Sequence, residues 1–244
     1  MSDDINDQMI LIAGKSAAGK SASLRTIKEQ HRWLYMNTEA GKRLPFKNDF
    51  QVGRVVDPYE VYEGFDYGTG KDDIKGAIID SLTFLMDMFE STYVVNAANT
   101  MKAWGDYAQF FKGLMQEKVV RFAKPVIIIA HALDVLDEKA MEMITSVPIK
   151  GSLKNNGVES YFSTVVHAER VSLKDLEPYR EGNDLLNITE EDELIGYKHV
   201  FQTRPTKQTV GKRIRSPMGM FSQAQTYMDN DAQLLLDHLH KFYG

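Results

Sequence analysis

The chain has 244 residues, 43% of them hydrophobic and 26% charged, with a net charge of −5 and no cysteine. That length suffices for one large α/β core, the missing thiols exclude disulfides and thiolate metal sites, and the acidic balance gives no overall attraction to nucleic acid. The opening "MSDDINDQ" is too acidic for a secretory signal, and no apolar run approaches the roughly 20 residues of a membrane helix, so no membrane partner and a cytoplasmic location are expected.

In chain order, residues 9–13 read as a short apolar strand, and 20–31 as a helix that begins directly after a glycine loop. Strands are predicted over 33–37 and 52–56. "GAIIDS" holds a buried strand over 77–80 with a carboxylate at its C-terminal end. A helix follows over 82–92, with Leu82, Leu85, Met86 and Phe89 on one face, and a second over 106–122, which Pro125 stops. "VIIIAH" is continuously apolar, as a strand buried on both faces of a parallel sheet should be. Residues 162–173 and 195–203 suggest an antiparallel hairpin, and 232–242 a closing amphipathic helix. The alternation implies an α/β fold: a mostly parallel sheet flanked by helices, with antiparallel strands toward the C-terminus.

Charge is unevenly placed. Between 175 and 193 the acids Asp175, Glu177, Glu181, Asp184, Glu190, Glu191, Asp192 and Glu193 face Arg180 alone, whereas 194–228 carries no acid beside Lys198, Arg204, Lys207, Lys212, Arg213 and Arg215. This is either a solvated acidic loop beside a solvated basic strand, or a basic surface that meets phosphate, from DNA or from a neighbour's nucleotide.

Gly14-Lys15-Ser16-Ala17-Ala18-Gly19-Lys20-Ser21 matches the phosphate-loop pattern G-x-x-x-x-G-K-[ST] in full, between a strand and a predicted helix. The glycines let backbone N–H groups from Gly14 through Ala22 converge on phosphate oxygens. Lys20 would reach the β- and γ-phosphates, Ser21 would place a hydroxyl on Mg²⁺, and the helix N-terminus would face the same anion. Asp80, ending a buried strand at the ligand edge of the sheet, is the metal-associated acid or else the cap of the helix after it. Glu39 in "MNTEAG" is placed to orient or deprotonate the attacking water, and His131, ending "VIIIAH", to sense the γ-phosphate.

With "GKSAAGKS", "MNTEAG", "AIIDS" and "VIIIAH" in this order, the chain resembles the RecA-like P-loop NTPase core, and more narrowly the small phage nucleotide-binding proteins that act as RecA-like single-strand annealing proteins. The histidine at 131 departs mildly from the family's usual polar sensor. The resemblance implies ATP and Mg²⁺ as cofactors, Glu39 as catalytic carboxylate and a homo-oligomer, filament or ring, with ATP between subunits. Lys212, Arg213 or Arg215 would reach a neighbour's phosphates. It implies single-stranded DNA as partner, alongside a possible single-strand-binding protein, held by loops offering Lys102 and Trp104, and Lys150, Lys154 and Asn155. A lysine beside an aromatic on a polar loop can also bind phosphate and stack a base on its own chemistry. One domain is expected: a core over 8–135, a DNA-loop and hairpin region over 136–228 and a terminal helix over 229–244.

Two other classes share the phosphate loop. A small-molecule kinase would carry an arginine-rich lid between its later helices, but the basic stretch here lies on strand-like sequence. A regulatory ATP switch would need no DNA surface.

Overall fold

The computed structural model describes residues 6, 8–138 and 141–244. One eight-stranded sheet runs through it, in the order β10-β9-β8-β1-β5-β4-β2-β3. β1 (Met9–Gly14) lies between β5 (Val126–His131) and β8 (Thr164–Ser172), parallel to both. β4 (Gly76–Asp80) pairs with β5 and with β2 (Trp33–Asn37), and β2 with the edge strand β3 (Gln51–Arg54), all parallel. The expected antiparallel part is β9 (Tyr197–Gln202) on β8 and β10 (Tyr227–Asp229) on β9.

Alternation along β1 builds the layers. Leu11 and Ala13 face one buried cluster, together with α1 (Glu60–Gly68), α2 (Leu82–Phe89) and α3 (Thr100–Gly113); Ile10 and Ile12 face the other, with the C-terminal helix α4 (Ala232–Tyr243). The five parallel strands from β1 across to β3 and the flanking β8 thus bring their C-terminal ends to one rim, where Gly14, Asn37, Asp80 and His131 stand. A separate hairpin of β6 (Leu133–Asp137) and β7 (Glu142–Ser146) follows β5 at once. Among the described residues no helix is long and apolar enough to cross a membrane.

Two expected helices differ. The segment after the phosphate loop is a 3-10 helix over Ser21–Thr26, not an α-helix to residue 31; Ile27 is extended and Glu29 is left-handed, with φ 51°. Small hydroxyl side chains take the backbone acceptors: Ser23 Oγ donates to the Lys20 carbonyl at 2.6 Å and Thr26 Oγ1 to the Ser23 carbonyl at 3.2 Å. A six-residue turn does not carry the macrodipole of a full helix, so the cradle depends on its loop N–H groups and Lys20. The helix expected from residue 106 starts instead at Thr100, because the Asn99 side chain caps it by accepting from Lys102 N at 3.0 Å. Lys102 and Trp104 therefore lie on the first turns of α3 and not on a loop.

Candidate functional site

The phosphate loop has the shape its glycines imply. Ala17 (φ 60°) and Gly19 (φ 93°) are both left-handed, turning the chain tightly around Lys20. A Cβ at Gly14 would lie 2.5 Å from the Ala168 carbonyl oxygen, so β8 fixes the glycine there. Two residues from distant sequence brace the loop: Asn230 Nδ2 donates to the Gly19 carbonyl at 3.0 Å, and His199 Nδ1 lies 3.1 Å from the Ala18 carbonyl. Neither carries a local motif, and sequence reading missed both.

Lys20 is 7% exposed and donates to the carbonyls of Gly14 (2.9 Å) and Lys15 (2.8 Å). Burial brings its pKa down to about 8, against the opposing pull of the Asp80 and Glu39 carboxylates. A bound polyphosphate favours the charged ammonium, so nucleotide binding takes up a proton once Lys20 has begun to lose its own. ATP affinity is therefore expected to fall as pH rises through about 8 and to stay flat below about pH 7. Fluorescent-nucleotide titrations across that range check this; a flat profile to pH 9.5 would contradict it.

Asp80 is 3% exposed at the end of β4. Tyr35 donates its hydroxyl to Oδ2 at 2.9 Å, while Oδ1 is buried without a hydrogen-bond partner. Burial raises its pKa, against the Ser21 and Tyr35 hydroxyls and Lys20. A buried carboxylate oxygen with no partner, beside a phosphate-loop serine, suits a hard divalent cation with oxygen ligands. Ser21 and Asp80 therefore fit Mg²⁺, Asp80 directly or through water. Mg²⁺ commonly keeps several waters and takes one or two carboxylates with the substrate phosphates, which two protein ligands here would suit.

Glu39 is set by the turn after β2. Its N–H donates to Asn37 Oδ1 at 2.9 Å, and Asn37 Nδ2 donates to the Lys42 carbonyl at 2.8 Å. Thr38 Oγ1 accepts from Ser81 N and donates to the Ser81 carbonyl, both at 2.7 Å, tying this turn to the end of β4. Ala40 and Gly41 are left-handed and send the chain back along the rim. The carboxylate lies 3.6 Å from His131 Nε2 and 3.1 Å from Lys42 Nζ. The His131 imidazole first, and then Lys42, hold its pKa down at about 2 despite partial burial.

These groups share one cleft of about 350 Å³, lined by Ser16–Ala22 with Tyr35, Glu39, Asp80, His131 and His199. Lys42, Arg43, Leu44 and Pro45 close its far side, and sequence reading passed over them. The basic pair in "AGKRLP" was the available signal. Leu44 and Pro45 give the cleft an apolar wall on which a nucleobase could lie.

The remaining expected residues lie elsewhere. Lys212 Nζ contacts Glu169 Oε2 (2.7 Å) and Gln202 Oε1 (2.8 Å), in a second cavity on the other side of the phosphate loop. Arg213 pairs at 3.2 Å with Glu159, which is 5% exposed and whose other oxygen accepts from Val147 N. Arg215 is exposed; its guanidinium donates to the Ser160 carbonyl at 3.0 Å and its backbone N–H to the Val165 carbonyl at 3.1 Å. Trp104 is half-buried against Tyr107 and faces Gly151, which brings α3 beside the 150–155 segment. Lys150 pairs with Glu90 at 2.6 Å, whereas Lys102, Lys154 and Asn155 are exposed.

The sequence model of AAA_24, described as an AAA domain, matches residues 6–214. The chain belongs to this family. No curated protein matches it. The matched span of this AAA domain contains the phosphate loop, Glu39, Asp80, His131 and the basic stretch to Arg213. Asn230, which braces the phosphate loop, lies beyond it.

Proposed function

We propose that this AAA-family protein is a Mg²⁺-dependent ATPase that binds single-stranded DNA and promotes annealing or strand pairing as a homo-oligomer. What carries the ATPase reading is the convergence of Lys20, Glu39 and the orphaned Asp80 Oδ1 on one cleft. Lys20 binds the β- and γ-phosphates once it leaves the carbonyls of Gly14 and Lys15. Mg²⁺, near Ser21 and Asp80, would neutralise charge on the phosphates. Glu39, with a pKa near 2, is a weak base. Its task is to hold the attacking water by a hydrogen bond and to accept its proton late, as bond formation makes that water acidic. His131 keeps this carboxylate ionised and in place.

The DNA and annealing parts draw on the resemblance to RecA-like annealing proteins and on exposed cations away from the cleft, Lys102 and Lys154 among them. Across subunits Arg215 is the best placed of the three basic candidates, since its guanidinium is exposed and has no ion-pair partner among the described residues. Arg213 has a structural task. Arg213→Ala leaves the buried Glu159 unpaired and is expected to destabilise the fold by about 2 kcal/mol; Glu159→Gln added to it restores much of the loss. Thermal unfolding of the single and double variants checks this, and an unchanged melting temperature in Arg213→Ala would contradict it.

The kinase reading finds no support in the basic stretch. It forms no helical lid: Thr145 bridges to Lys212 and Val165 to Arg215, fastening the stretch to β7 and β8. ATPase rate with and without oligothymidylate, at low and moderate salt and across protein concentrations, tests the proposal. Stimulation that is lost with salt and rises cooperatively with protein supports it. A rate indifferent to DNA and linear in protein favours the ATP switch.

A further inference from the structure

Beside the nucleotide cleft runs an open groove of about 1150 Å³, between the turn after β2 and the edge strand β3. Its lining includes Lys42, Arg43, Lys47 and Arg54 and not one carboxylate. Arg43, Lys47 and Arg54 are exposed and have no ion-pair partner among the described residues; Lys42 pairs with Glu39. Several cations elsewhere are neutralised: Lys198 meets Asp192 and Asp229, Lys212 meets Glu169, and Arg213 meets Glu159. Four cations gathered on one groove with no lining carboxylate, in a chain with net charge −5, make a local field against the overall charge. Protection of the edge strand against aggregation would account for Arg54 but not for Arg43 and Lys47, which lie off the strand. Apolar surface interleaves with the charge: Val52 is 58% exposed, and Leu44, Pro45 and Phe46 line the same groove.

We infer that this groove, rather than the 102–104 and 150–155 segments alone, holds the phosphodiester backbone of single-stranded DNA. Cations beside apolar surface match a strand whose bases are unstacked and free to lie on that surface, which a duplex does not offer. The inference rests on the single-stranded-DNA reading above and names the surface that serves it. It also couples the two sites. The groove and the nucleotide cleft share Tyr35, Lys42, Arg43, Leu44 and Pro45. A backbone phosphate competes with Glu39 for Lys42, now 3.1 Å from that carboxylate, and a Glu39 relieved of Lys42 becomes a better base. Strand binding thereby speeds hydrolysis.

The test uses the full chain and a fluorescein-labelled oligothymidylate, read by anisotropy over a KCl series, for the wild type, Lys47→Ala/Arg54→Ala and Lys102→Ala/Lys154→Ala. Lys47 and Arg54 lie outside the nucleotide cleft, so binding of a fluorescent ATP analogue serves as the folding control. Lys47→Ala/Arg54→Ala is expected to bind DNA about 10-fold or more weakly, to flatten the log–log salt slope by about 1.4, and to lose DNA stimulation of ATPase, with analogue binding unchanged. Wild-type affinity and slope in that variant would overturn the groove while leaving the DNA reading intact. No DNA binding by the wild type, even at low salt, would overturn both. Loss of self-association in sedimentation, with DNA binding unchanged, would assign the groove to an acidic surface of a second copy and overturn it as a DNA site.

Discussion

Glu39→Gln is expected to lower ATP turnover by about 10²–10⁴-fold while ATP affinity stays within about threefold of the wild type. The amide keeps the size of the side chain and one oxygen toward the water, but it can neither carry the negative charge nor take the proton. The ground state loses little, because Glu39 meets Lys42 and His131 and belongs to the wall facing the phosphates rather than to the loop that grips them. Turnover and affinity therefore separate, the signature of an interaction made only in the transition state. Phosphate-release kinetics and analogue titration on the same preparation measure both. Acid stability adds a second readout. Glu39 has a lowered pKa in the folded state, so its contribution to stability is present above the ordinary glutamate range and is lost as pH falls toward about 2. The Gln variant should lack that part of the acid dependence.

Asp80→Asn separates stability from function in the opposite way. Asp80 is 3% exposed and one carboxylate oxygen has no partner, so ionisation works against the free protein. Its pKa is raised, and the sign follows: the stability it contributes is present at low pH and is lost as pH rises through its folded-state value. The Asn variant should therefore melt at least as high as the wild type at neutral pH, and its advantage should vanish in acid. Its Mg²⁺-dependent turnover should fall by about 100-fold or more, the scale of losing one charge-stabilising group. Melting curves at pH 4 and 7.5, with ATPase over a Mg²⁺ series, test both halves. A variant that melts several degrees lower and hydrolyses ATP normally would give Asp80 a structural task at the end of β4, through Tyr35, since Ser81 and not Asp80 is the N-cap of α2.

How far the sequence carried this differs from residue to residue. The phosphate loop and the rim positions of Glu39, Asp80 and His131 were legible because each signal is local: a glycine spacing, a polar residue closing an apolar run, or an acid two residues past one. The parallel sheet was legible from the same runs, and the hairpin of β8 and β9 from their length. The turn after the loop was misread because the hydroxyls of Ser23 and Thr26 compete for backbone groups that a helix would use. The start of α3 was missed because Gly105, in its interior, reads as a breaker while the Asn99 cap lies further back. His199 and Asn230 reach the loop from β9 and from just after β10, and nothing near them in sequence says so. The basic stretch over 194–228 promised a positive surface, but folding pairs Lys198, Lys212 and Arg213 with carboxylates from other segments. The positive groove formed instead at the less conspicuous Lys42–Arg54 stretch, where four cations, of which Lys42 pairs with Glu39, are spread over 13 positions.

The most direct test of the central claim, that this rim is a hydrolytic ATP site, is single-turnover phosphate release from ATP by the wild type and Glu39→Gln, each with Mg²⁺ and with excess EDTA. Release that requires Mg²⁺ in the wild type and nearly disappears in Glu39→Gln, while that variant still binds ATP, is the expected result. Release at equal rates in both proteins, or bound ATP left intact by the wild type in Mg²⁺ with and without single-stranded DNA, would contradict it.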